Sequence, residues 1–74
     1  MTTLRLDLCG LRCPQPIFKI ALASADLSPG DILDVTADCA SFEMDVRTWC
    51  RRLKKTLLFV RDEGEYRKTV RIAF

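Results

Sequence analysis

Apolar and polar residues alternate through Leu4, Arg5, Leu6, Asp7 and Leu8, the period-2 pattern of a strand with one buried and one wet face. From Pro14 to about Leu27 the period lengthens. Ile17, Ile20, Ala21 and Ser24 fall on one helical stripe and Phe18, Leu22 and Ala25 on a second beside it, which predicts a well-buried helix stopped by Ser-Pro-Gly-Asp at 28–31. ILDVTA, residues 32–37, is rich in β-branched side chains and predicts a second strand, made parallel to the first by the helix between them. Phe42, Val46, Trp49, Cys50 and Leu53, at i, i+4, i+7, i+8 and i+11, predict one face of a second helix with Ser41 near its start. TLLFVRD at 56–62 and YRKTVRIAF at 66–74 predict two further strands, joined by a tight turn through Glu63-Gly64. The order βαβαββ implies an α/β (α+β) two-layer sandwich, with two helices on one face of a four-stranded mixed sheet.

Length and composition narrow the function classes. A chain of 74 residues is expected to form a single domain, 1–74, burying roughly 60% of its unfolded surface. With 49% apolar and 30% charged residues it has the make-up of an ordinary globule rather than a disordered tail. No apolar run approaches the length of a membrane span, and MTTLRLDL lacks the apolar centre of a secretion signal, so a cytoplasmic monomer is expected. In that reducing compartment the four cysteines should be mostly free thiols. The absence of histidine removes Cys-His nucleophilic catalysis and imidazole-bearing metal sites. A zinc site of four thiolates stays formally open, but Cys9, Cys13, Cys39 and Cys50 contain no C-x2-C pair, so no metal and no cofactor are expected. The net charge of +2 does not by itself imply a nucleic-acid partner.

The chemistry concentrates in CGLRCPQP, residues 9–16, at the C-terminal end of the first strand, an edge where α/β sheets commonly place ligands and reacting groups. With Pro14 as the first helical residue, Cys13 would be the N-cap, where Ser, Thr, Asp or Asn would cap better by about 1 kcal/mol. Keeping sulfur at such a position suggests that the sulfur is used. Pro14 and Pro16 remove first-turn donors that lack helical partners anyway, leaving the Gln15 N–H as the main free donor beside Cys13. The partial positive charge of the helix N-terminus favours a thiolate there by roughly 0.3–1 kcal/mol.

The segment LDLCGLRCPQP resembles the signature of the TusA (SirA-like) sulfur-carrier family, in which Asp-x-x-Gly-Leu-x-Cys-Pro-x-Pro opens a βαβαββ domain of about this length. Asp7, Gly10, Leu11, Cys13, Pro14 and Pro16 fit the motif, Gly30 fits the turn after the first helix, and Asp38 with Asp45 fits a second family segment. The resemblance implies that Cys13 accepts sulfur as a persulfide from a cysteine desulfurase or rhodanese-type donor. It also implies delivery to a downstream sulfur-acceptor protein, in a relay such as tRNA thiolation, cofactor synthesis or sulfur metabolism. Three positions depart from the family: Cys39 stands where proline usually follows the aspartate, Lys54-Lys55 where a Gly-His or Gly-Asn pair is common, and Cys9 is unusual before the motif glycine.

Cys9 and Cys39 should lie at the C-terminal ends of the two parallel strands, close to Cys13. They are read as small apolar strand-end residues, against the alternative of a resolving thiol or a protective disulfide with Cys13. Cys50 shares the apolar face of the second helix and is read as core. Arg47, Arg51 and Lys55 share i, i+4 spacing opposite that face, either as a solvated surface or as a docking site for an acidic partner protein or tRNA. No aromatic residue is interleaved for base stacking, which weakens direct RNA contact. The competing function is a regulatory module that binds RNA or protein through this basic face, with the thiols incidental.

Overall fold

The computed structural model describes residues 2–74. Its order is β1 Thr3–Asp7, α1 Gln15–Ser24, β2 Ile32–Ala37, α2 Phe42–Leu53, β3 Thr56–Gly64 and β4 Arg67–Ala73, the βαβαββ succession that the periodicities predict. The sheet runs β1-β2-β4-β3, with β1 parallel to β2 and the pairs β2·β4 and β3·β4 antiparallel.

Register decides which side chains face the helices. Leu33 pairs with Ile72 and Val35 with Val70, and these residues join Ala37, Ile20, Phe42, Val46 and Cys50 in a core closed to solvent. Leu4 and Leu6 of the edge strand β1 pack against this core from the side and stay partly exposed. The intervening positions point to the other face, where Asp34 pairs with Arg71 and Thr36 with Thr69. Both helices therefore cover one face of the sheet, and polar side chains clothe the other.

The helix α1 is shorter and less buried than its sequence suggests. Its two stripes lie about a quarter-turn apart, and only the one carrying Pro16 and Ile20 meets the core; Phe18 and Leu22 remain 60% and 69% exposed. Beyond Ser24 the chain tightens into turns, with Asp26 N–H donating to the Ala23 carbonyl and Leu27 N–H to the Ser24 carbonyl. Leu53, expected on the buried face of α2, is 51% exposed because it is the last helical residue and the chain departs there. The departure is made by Lys54, whose φ of 57° is left-handed, a conformation that favours glycine.

The β3–β4 hairpin turns two residues later than predicted. Glu65 and Tyr66, both with positive φ, form the turn, while Gly64, at φ +80°, ends β3 at an irregularity in register. The glycine is thus used to break the ladder, its N–H bonded to Asp62 Oδ1 at 2.8 Å, and the turn falls to two residues with side chains.

Candidate functional site

The C-terminal ends of β1 and β2 lie side by side, and the loops that follow them, residues 8–14 and 38–41, meet there. Gly10 takes a left-handed φ of +88°, and its N–H donates to Asp38 Oδ1 at 2.9 Å, fastening the first loop to the second. Asp7 accepts the Cys9 N–H at 3.1 Å, a bond that holds its carboxyl below the usual range. Both motif aspartates thus brace the backbone around the cysteines.

Cys13 lies one residue outside the expected cap. Pro14 is the N-cap of α1, Gln15 the first helical residue, and the Cys13–Pro14 peptide is cis. The Gln15 N–H is not a free donor, because it bonds the Arg12 carbonyl at 2.7 Å as the loop closes on itself before the helix starts. The Ile17 N–H goes to the Pro14 carbonyl at 3.1 Å, and Pro14 and Pro16 have none to give. The first-turn N–H groups at Gln15 and Ile17 are therefore engaged by backbone carbonyls and not by the Cys13 sulfur. Pro16 is buried and anchors the motif to the core.

Cys13 is bonded to Cys39, with their α-carbons 5.6 Å apart. Cys39 is thus the partner of Cys13, the alternative to a small packing residue that the sequence carried, and two of the four cysteines, Cys9 and Cys50, are free thiols where most were expected to be. The cause is local: parallel pairing sets the ends of β1 and β2 abreast, and two short loops then deliver one cysteine each to the same point. Cys39 is held from its own side as well, since the Phe42 N–H bonds its carbonyl at 3.0 Å and the Ser41 hydroxyl lies 3.7 Å from its sulfur. Ser41 in turn donates to Asp45 Oδ2 at 2.9 Å. The ligand atoms of Cys13, Cys39 and Asp45 lie within 4.8 Å of one another. Joined as a disulfide, the sulfurs offer a cation no thiolate, and only the carboxylate of this set remains.

Cys9 does not join this cluster. It faces the opposite side of the sheet, in a cleft shared with Thr36, Arg67 and Thr69. Burial first, and then the facing Asp7 carboxylate, push its thiol up. Cys50 is pushed up by burial in the core. Both are poor nucleophiles at neutral pH, since the thiolate is the reactive form.

The basic set does not form one face. Arg47 pairs with Glu43 at 3.0 Å, and the same carboxylate takes Lys68 at 2.8 Å. Arg51 lies exposed along the same shallow cleft, beside Met44 and Thr48. Lys55 is off the helix altogether: it follows the cap, where its ammonium sits 5.1 Å from the centre of the Phe74 ring. The i, i+4 series ends because the helix does.

A family model described as Sulfurtransferase TusA matches residues 4–72. Two curated relatives from Neisseria meningitidis, one from serogroup A and one from serogroup B, are each 36% identical over 58 residues, covering 78% of this chain and 78% of their own. Both are provisionally named sulfur carrier proteins. The matched span runs from β1 to β4 and takes in the Cys-Pro-x-Pro start of α1, both aspartates that brace the loops and the whole core. The chain belongs to the TusA sulfurtransferase family.

Proposed function

We propose that this protein is a cytoplasmic sulfur carrier in which Cys13 is loaded as a persulfide and unloaded to the next protein of a relay. One observation carries the assignment: Cys13 is the exposed cysteine, while Cys9 and Cys39 are half-buried and Cys50 is enclosed in the core. It stands at the start of α1 on the strand-end edge, where a partner's reactive sulfur can approach. The sulfur-carrier names of the relatives support the same reading.

In the working state Cys13 is reduced. Its thiolate attacks the outer sulfur of a persulfide on a cysteine desulfurase or rhodanese-type donor, the donor thiolate leaves, and Cys13 keeps the sulfur as S–SH. An acceptor thiolate then removes that outer sulfur, and Cys13 returns as thiolate. Pro14 and Pro16 fix the direction of the chain beside the sulfur without requiring hydrogen bonds of their own. Arg47 and Arg51 offer an acidic partner a docking surface, with Glu43 limiting its positive charge.

The test is intact-protein mass after incubation with a sulfur donor, with and without reductant. Wild-type protein should gain sulfur that reductant removes, and Cys13→Ser should gain none. Because Cys13 is exposed and outside the helix, Cys13→Ser should change stability measured in reductant by less than about 0.5 kcal/mol. Reducible sulfur on folded Cys13→Ser protein would move the carrier role to another residue.

A further inference from the structure

Resting on the carrier reading, we infer that Cys39 is a resolving cysteine that discharges a Cys13 persulfide as sulfide. Its α-carbon lies 5.6 Å from that of Cys13, the separation at which two cysteines can be bridged without backbone movement. The approach is built into the fold: Asp38 ties its loop to Gly10 at 2.9 Å, and Phe42 N–H fixes the Cys39 carbonyl at 3.0 Å. A persulfide on Cys13 keeps its inner sulfur where the thiol sulfur stood, within reach of Cys39.

The step balances without an external oxidant. Cys39 thiolate attacks the inner sulfur of Cys13–S–SH, a sulfur–sulfur bond forms between Cys13 and Cys39, and the bond to the outer sulfur breaks. The outer sulfur leaves with the electron pair as hydrosulfide, so it is reduced while the two protein sulfurs are oxidised. The Cys39 proton has a path through Ser41, whose own proton is committed to Asp45, and onward to water, which returns one to hydrosulfide. The net change is persulfide plus thiol to disulfide plus hydrogen sulfide. The step would leave Cys13 and Cys39 joined as a disulfide, and a dithiol reductant restores the carrier. Delivery to an acceptor and discharge by Cys39 therefore compete for the same sulfur, and the loaded state has a limited lifetime.

The experiment loads fully reduced, full-length protein with glutathione persulfide under exclusion of oxygen. It follows free sulfide and, after alkylation, intact mass over time. Wild-type protein should pass through a form one sulfur heavier and end two hydrogens lighter than the reduced chain, releasing one sulfide per disulfide. Cys39→Ser should hold the added sulfur at least tenfold longer, and Cys39→Pro supplies the same comparison should serine impair folding. Wild-type protein that keeps its sulfur as long as the Cys39 variants would overturn the resolving role and leave the carrier reading intact. Wild type and Cys39 variants that never gain sulfur would overturn both.

Discussion

At the scale of single residues, Cys50 sits 3% exposed on the core side of α2 among Phe42, Val46 and Ile20. Replacing its sulfur with hydrogen leaves a cavity too small for neighbouring strand residues to fill. Cys50→Ala should therefore cost about 1–2 kcal/mol in denaturant unfolding and leave sulfur loading at the wild-type level. Loss of loading in a folded variant would show a chemical role for Cys50 that its burial argues against. This placement was legible in the sequence because the spacing from Phe42 through Val46 to Cys50 is a local property of one helix. The nearness of Cys39 to Cys13 was legible too, from the parallel βαβ order, but the choice between packing and pairing was not, because it depends on how each loop aims its cysteine beyond the strand end. The same limit applies to Cys9, whose side of the sheet is set by where the loop leaves β1.

At the scale of elements, all six came from periodicity and their ends did not. Termini are decided by single backbone conformations and by hydrogen bonds across loops, so α1 begins after a turn closed by Arg12 and Gln15, and the hairpin turns at Glu65-Tyr66. The glycine signal was real but marked the register break beside the turn. Two consecutive left-handed residues with side chains, Tyr66 being 90% exposed, cost roughly 1–2 kcal/mol each relative to glycine. A two-residue turn of this kind favours Asn-Gly. The double variant Glu65→Asn with Tyr66→Gly should accordingly raise stability by about 1 kcal/mol and the melting temperature by several degrees, with persulfide loading unchanged. A lowered melting temperature would mean that Tyr66 makes a contact its exposure does not suggest.

At the scale of the whole molecule, the open face of the sheet is held by charge where the other is held by apolar packing. Asp34, on the central strand β2, accepts two bonds from Arg71 of β4 at 2.7 and 2.8 Å, and Arg5 of β1 approaches to 4.0 Å. The Arg71 and Arg61 guanidinium groups lie over the Phe59 ring at 5.2 and 5.5 Å, so one carboxylate and one ring tie all four strands together. A sequence separation of 37 kept Asp34 and Arg71 out of any sequence pattern. Hydrogen bonds from Arg71 hold the Asp34 carboxyl below its usual range. A folded-state pKa depressed below the unfolded value contributes stability that is fully present above the unfolded pKa, about 3.9, and is lost as pH falls through the folded one. Asp34→Asn removes the charge and leaves Arg71 over Phe59 without its carboxylate. It should cost about 1–3 kcal/mol at neutral pH, as expected for hydrogen bonds to a charged group. Below about pH 4 Asp34 of the unfolded chain takes up a proton first and the folded carboxylate follows only at lower pH, so the difference between the two proteins should narrow progressively there. Urea unfolding of both proteins between neutral pH and pH 3 measures this convergence. A difference that stays constant across that range would show that Asp34 acts by shape and not by charge.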